Sequence, residues 1–257
     1  MLELTQFTKE RPRFIQNGLK LYLDAADQRS YFGSNEWRDL SGQNNHIQFT
    51  GTITKEGNFL HGDAVNSFGR TINTFDLTGK RAVTIFCLMK HPDTGTAPAI
   101  DGIVYEHTAD WNVGNTYGSV TYGGFGVAMN TTGTQHVPHG VHAQYQGNAP
   151  YSGINIISPD VTKETLYTFI HDTNQTSAPQ SKAFINAIEG GTPGEIGTPY
   201  NGVSNQTMGN DHFYLWTRGG VSFFNDTRIA LMLIYDRVLS LSEIQYTKSI
   251  LEDRFNV

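Results

Sequence analysis

A chain of 257 residues, 38% hydrophobic and only 16% charged, is long enough to bury a core without disulfides and too apolar to remain disordered. Its formal net charge is −6, and beyond Lys9, Arg11 and Arg13 it has no basic cluster, which excludes a nucleic-acid binder because phosphates need a concentrated cationic face. Cys87 is the single cysteine, so no intrachain disulfide forms, and no apolar run approaches the ~18 residues of a membrane span.

Residues 1–16 mix charges with a proline and are expected to form an arm outside the core, leaving 17–257 as one domain. The first fourteen residues lack the apolar centre of a secretion signal, so synthesis in a cytoplasm is expected. The four Asn-X-Thr sites at Asn130, Asn174, Asn205 and Asn225 then read as chance. From Leu19 to Leu23 leucines alternate with Lys20 and Tyr22, the period of a half-buried strand, and Ile47 with Phe49 repeats it. Asn73 to Lys80 ends in a glycine turn. Ala82 to Met89 is nearly continuous in apolar residues, which predicts a strand covered on both faces with Cys87 inert inside it.

Ile103 to Tyr105 and Gly124 to Met129 are further strand candidates, whereas residues 108–160 as a whole, rich in Gly, Asn, Thr and Tyr, are expected to form long polar loops. Leu166 to His171 and Lys182 to Ile188 predict a hairpin, and His212 to Thr217 a strand before a Gly219-Gly220 turn. Thr227 to Tyr235 supplies the longest apolar strand. A capping box at Ser240–Glu243 then predicts a terminal helix, with Leu241, Ile244, Leu251 and Phe255 on one stripe that Lys248 interrupts.

Two segments carry a resemblance. Leu23-Asp24-Ala25 is followed by Ser30-Tyr31, Trp37, and Asp39-Leu40-Ser41-Gly42 with Asn44 and Asn45; near the other end stand Tyr235-Asp236-Arg237, Leu239-Ser240 and Ser242-Glu243-Ile244. Together they resemble the opening and closing strands of the LamG-like, concanavalin A-like domains found in tailed-phage structural proteins. The resemblance implies an all-β jelly-roll β-sandwich of two antiparallel sheets with a short C-terminal helix. That family usually ends one strand in Asn-Gly, where this chain has Asn186-Ala187. It further implies a non-enzymatic virion protein, a capsid decoration, head-fibre or tail-associated module made in the host cytoplasm. Such a protein is expected to be a homo-oligomer that contacts other virion proteins through its N-terminal arm. Because this sandwich also hosts lectins and glycosidases, a glycan-binding module for host receptors and an atypical glycoside hydrolase stand as the alternatives.

Candidate residues follow. Trp111, Tyr117, Tyr122, Tyr145 and Tyr151 lie in the charge-poor region, where exposed rings stack on sugars or fill a protein interface. Trp37 and Trp216 are assigned to structure. The family's calcium sites make Asp24 and Asp39 the metal candidates, set against a role holding turns through backbone amides; no other cofactor is implied. His136, His139 and His142 recur every third residue, a spacing that alternates faces on a strand and cannot gather three ligands within one chain. Retaining hydrolysis needs two carboxyls about 5 Å apart. The nearest pair, Glu106 and Asp110, falls in an expected loop, so no catalytic residue is assigned.

Overall fold

The computed structural model describes residues 13–91, 102–107, 124–132, 135–142, 152–155, 163–177, 180–186, 194–195, 198–199 and 207–255. In chain order the strands are β1 (Leu19–Asp24), β2 (Glu36–Trp37), β3 (Ile47–Thr50), β4 (Thr54–Glu56), β5 (Phe59–His61), β6 (Phe68–Thr71), β7 (Phe75–Asp76), β8 (Ala82–Lys90), β9 (Gly102–His107) and β10 (Phe125–Thr132). They continue with β11 (Gln135–His142), β12 (Ser152–Asn155), β13 (Thr165–Asp172), β14 (Ser181–Asn186), β15 (Gly194–Glu195), β16 (Thr198–Pro199), β17 (Asn210–Asp211), β18 (Phe213–Leu215) and β19 (Arg228–Tyr235), before helix α1 (Leu241–Phe255).

Two antiparallel sheets face each other. One runs β15-β14-β13-β8-β19-β5-β4, with β1 also on β19; the other runs β16-β12-β11-β10-β9-β18-β6-β3-β2. Strand β8 shows why the apolar run lacks alternation: Val83, Ile85, Cys87 and Met89 point between the sheets, while Phe86 and Leu88 point the other way into a second apolar layer. That layer exists because α1 lies on the outside of this sheet, setting Ile244, Ile250 and Leu251 against Phe86, Leu231, Leu233 and Tyr235. Cys87 is fully buried, and burial holds its thiol protonated. Trp37 and Trp216 are fully buried between the sheets.

The opening signature is a set of hydrogen bonds. Asp24 caps the turn after β1 through the amides of Ala26 and Asp27. Ser30 accepts from the Asp24 amide and donates to the Arg38 carbonyl, and Asp39 accepts the amides of Tyr22, Ser41 and Asn45. The closing signature works similarly. Glu243 accepts the Ser240 amide at 2.8 Å, as a capping box requires, and takes both Arg237 terminal nitrogens at 2.6 and 2.9 Å. Arg254 then reaches Asp24 at 2.6 Å, fastening the end of the chain to its first strand.

Three expectations are corrected. Leu241 is 51% exposed, because the buried face of α1 is Ile244, Thr247, Lys248, Ile250 and Leu251; Lys248 joins this face with its ammonium paired to Glu252 at 2.9 Å. The last residues of the expected arm pack on the domain, since Phe14 is buried against Tyr22 and the Arg13 carbonyl accepts the Tyr246 hydroxyl. Residues 108–160 also hold more strand than a loop reading allows: besides the expected strand at Gly124–Met129, which is β10, β11 and β12 lie within them and extend the second sheet. Pro138 stands opposite Met129 in the β10–β11 ladder and beyond the β11–β12 pairing, which spans His139–His142. Ala187, the departure from Asn-Gly, lies outside the described residues.

Candidate functional site

Register fixes which side chains share the outer face of the nine-stranded sheet. Directly opposed residues point the same way in an antiparallel pair. Tyr105, Leu215, Gly69 and Phe49 form a row facing the core. The next row must face outward: Glu36 on β2, Gln48 on β3, Arg70 on β6, Tyr214 on β18, Glu106 on β9 and Gly126 on β10. Helix α1, the only helix among the described residues, covers the opposite sheet. Gln48 and Arg70 are exposed and Glu36 is partly so, whereas Tyr214 is 8% exposed and Glu106 is sealed at 0%.

The cover over Glu106 is the turn after β18. The Trp216 amide bonds the Val104 carbonyl, the Asn225 amide bonds Trp216, and the Ile103 amide bonds Phe223, so both ends of the turn are fixed on β9 or on each other. Between them Arg218 and Ser222 close a small loop, with the Arg218 guanidinium 4.1 Å from the Phe223 ring centre. The chain folds back here because four residues adopt positive φ: Gly219 and Gly220, where this costs little, and Trp216 (62°) and Phe223 (51°), where it is strained. The Gly219 amide donates to Oε1 of Glu106 at 2.6 Å, and Gly220 rests on the Phe68 ring.

Oε2 of Glu106 is buried and has no hydrogen-bond partner among the described residues. Burial pushes this carboxyl up to about 8; the Gly219 amide and the Arg218 charge pull it down, and Asp211 adds to the rise. Glu106 is therefore a neutral acid at physiological pH. Beside it, burial and then Asp211 raise the Tyr214 phenol, while a hydrogen bond with Arg70 opposes them. On the core side of β9, His107 donates from Nε2 to the Phe75 carbonyl and stacks on Phe125, and burial lowers it to about 4.

The sequence candidates are distributed otherwise. Glu106 is on a strand, not in a loop, because β9 runs to His107 before the polar segment begins; Asp110 lies outside the described residues, as do Trp111, Tyr117, Tyr122, Tyr145 and Tyr151. His136, His139 and His142 all lie on β11. Asp24 and Asp39 do not fit a calcium ion. Asp24 is fully buried, with its oxygens engaged by two amides, the Tyr22 hydroxyl and Arg254, and Asp39 is used by three amides and the Ser41 hydroxyl. Among the described residues no group of three or more His, Cys, Asp or Glu is placed to hold a metal. Arg70, Gln48 and Tyr214 were missed, since a row across six strands is contiguous only after pairing.

No protein-family model matches this chain, and no curated protein matches it in sequence. Among solved structures it is similar to the receptor-binding domain of botulinum neurotoxin mosaic serotype C/D, with TM-score 0.60 and 13% identity over 93% of this chain and 52% of that one. It is similar also to Trypanosoma rangeli sialidase, with TM-score 0.58 and 15% identity over 92% of this chain and 33% of that one. The binding domain of botulinum neurotoxin DC in complex with SialylT gives TM-score 0.56 and 10% identity, covering 91% and 52%. The chain thus spans a third to about half the length of these proteins. At such identities the likeness is one of fold, a jelly-roll β-sandwich of antiparallel sheets.

Proposed function

We propose that the protein is a non-catalytic glycan-binding module, carried on a virion surface through its helix side and presenting the outer face of the nine-stranded sheet to host sugars. The observation that carries this reading is the asymmetry of the sandwich. One sheet is closed by α1 and the Phe14 segment, while the other presents Glu36, Gln48 and Arg70 beside the largely buried Tyr214, a set of carboxylate, amide and guanidinium groups suited to sugar hydroxyls. Two larger proteins that contain a similar fold form complexes with sialic acid in one case and SialylT in the other, which supports a sugar as ligand, and the exposed Arg70 suits a carboxylated one.

Arrangement of the carboxyls supports a binding rather than a hydrolytic role. The row's other carboxylate, Glu36, is four strands from Glu106, about 19 Å at the usual ~4.8 Å spacing, against the roughly 5 to 9.5 Å of glycosidase pairs. The virion setting rests on the resemblance of the opening and closing signatures. Titration with lactose and 3′-sialyllactose tests the sugar reading. Saturable binding that weakens at least about tenfold in Arg70→Ala is expected, and binding of neither sugar would contradict it.

A further inference from the structure

We propose that Glu106 anchors a buried subsite for a sugar hydroxyl, covered in this structure by residues 218–222 and uncovered when that turn swings about Trp216 and Phe223. The inference rests on the reading of this face as sugar-binding, and it names the residue that would set specificity there.

Three observations carry it. The first is the unmade bond. Glu106 is fully buried, its Oε1 accepts the Gly219 amide at 2.6 Å, and its Oε2 has no partner among the described residues. Buried polar atoms of native proteins are nearly always paired, so an orphaned carboxyl oxygen marks a place where something else completes it. The second is the floor beside it. The residue opposed to Glu106 on β10 is Gly126, and a Cβ there would lie 3.2 Å from the Glu106 Cβ and 3.1 Å from the Tyr105 carbonyl oxygen. Glycine leaves bare backbone on that flank, which permits close approach, while Tyr214 and Arg70 bound the other flank.

The third observation is the construction of the cover. Both of its ends are fixed by backbone hydrogen bonds at Trp216 and Phe223, the two residues held at strained positive φ, and such positions cluster where a segment changes conformation. Between these hinges the turn rests on Phe68 through Gly220 and is tied to the sheet through the Gly219 amide, and its tip, Val221, is 67% exposed. Lifting it opens both Glu106 oxygens together with the Gly219 amide. Burial keeps the covered carboxyl neutral up to about 8, and a sugar ring seated in place of the turn buries it again, so that it offers one donor and one acceptor side by side, the pattern that two neighbouring hydroxyls on the ring satisfy. Charged groups near it are Arg218 on the turn, Asp211 on β17 and, through Tyr214, Arg70 on β6; β10 contributes none at Gly126.

The test titrates lactose and 3′-sialyllactose into the full chain and into Glu106→Gln, Glu106→Leu and Arg70→Ala. Glutamine keeps an acceptor for Gly219 and a donor in place of the acid proton, so Glu106→Gln is expected to bind within about threefold of the parent at pH 6, and Glu106→Leu about tenfold more weakly or worse. The parent's affinity is expected to fall as pH rises through about 8, where the donor is lost, whereas that of Glu106→Gln stays level. A folded Glu106→Leu variant that binds within twofold of the parent overturns the subsite and leaves only a buried water at Oε2. Should that variant fail to fold, parallel pH profiles of the parent and Glu106→Gln overturn it instead. Loss of binding in Arg70→Ala with no effect at Glu106 removes the subsite but keeps the sugar-binding face; binding of neither sugar by the parent removes both.

Discussion

Glu106 connects the chemistry of one side chain to the pH response of the whole fold. Its folded form holds a proton up to about pH 8, while the unfolded chain releases it near the ordinary value of 4.5. Between those limits the folded state binds more protons, so the stability this group contributes is complete below about pH 4.5 and is lost as pH rises toward 8. Glu106→Gln keeps the hydrogen bond from Gly219 without the ionisable proton. It is expected to be more stable than the parent by up to about 3 kcal/mol at pH 7 and equal to it near pH 4.5, as urea denaturation at the two pH values would measure. A variant with the parent's pH dependence would contradict the burial argument. Asp24 and Asp39 make the complementary case: their residue types suit calcium, but backbone amides and Arg254 already occupy their oxygens. Sequence shows the carboxylates and not their partners, which arrive from residues as distant as Arg254. A chelator is accordingly expected to leave the melting temperature unchanged.

Among the elements, β1, β8, β13, β19 and α1 were legible because each satisfies one strong local rule: alternation, a continuous apolar run, a hairpin pair or a capping box. Within 108 to 160 only β10 was, from Gly124 to Met129. Gly140, Pro138 and Gly153 carry loop signals, yet β11 and β12 pair there because a broad sheet supplies the ladder that local propensity opposes. Within α1 the stripe was misjudged by one position, which gives a direct comparison. Leu241→Ala removes an exposed side chain and is expected to cost under about 0.5 kcal/mol, while Ile244→Ala opens the layer against the sheet and should cost about 3 kcal/mol. The tie between first strand and last helix gives another: Asp24→Ala strands two turn amides and Arg254, and a loss of about 3 kcal/mol in chemical denaturation is expected. The candidate face itself could not be read from the sequence, since Gln48, Arg70, Tyr214 and Glu106 are separated by up to 166 positions and meet only through cross-strand register.

For the whole molecule the consequence is a polarity. The first described residues, Arg13 and Phe14, join the sandwich on the α1 side, and the polar row looks out from the opposite sheet. An attachment made through residues 1–12 would therefore leave the candidate face pointing away from the attachment. Deleting residues 1–12 is expected to leave the melting temperature within about 2 °C of the parent, whereas Phe14→Ala should lower it by several degrees. Under the proposed virion setting, the same deletion is expected to abolish incorporation into particles, read by peptide counting on purified virions. The central claim, that the sheet face opposite α1 binds sugar, is tested most directly by titrating the full chain and Arg70→Ala with lactose and 3′-sialyllactose under calorimetry. Saturable binding by the parent, weakened about tenfold or more in the folded variant, is the predicted result; heats indistinguishable from dilution for both sugars, or binding unaffected by Arg70→Ala, would contradict it.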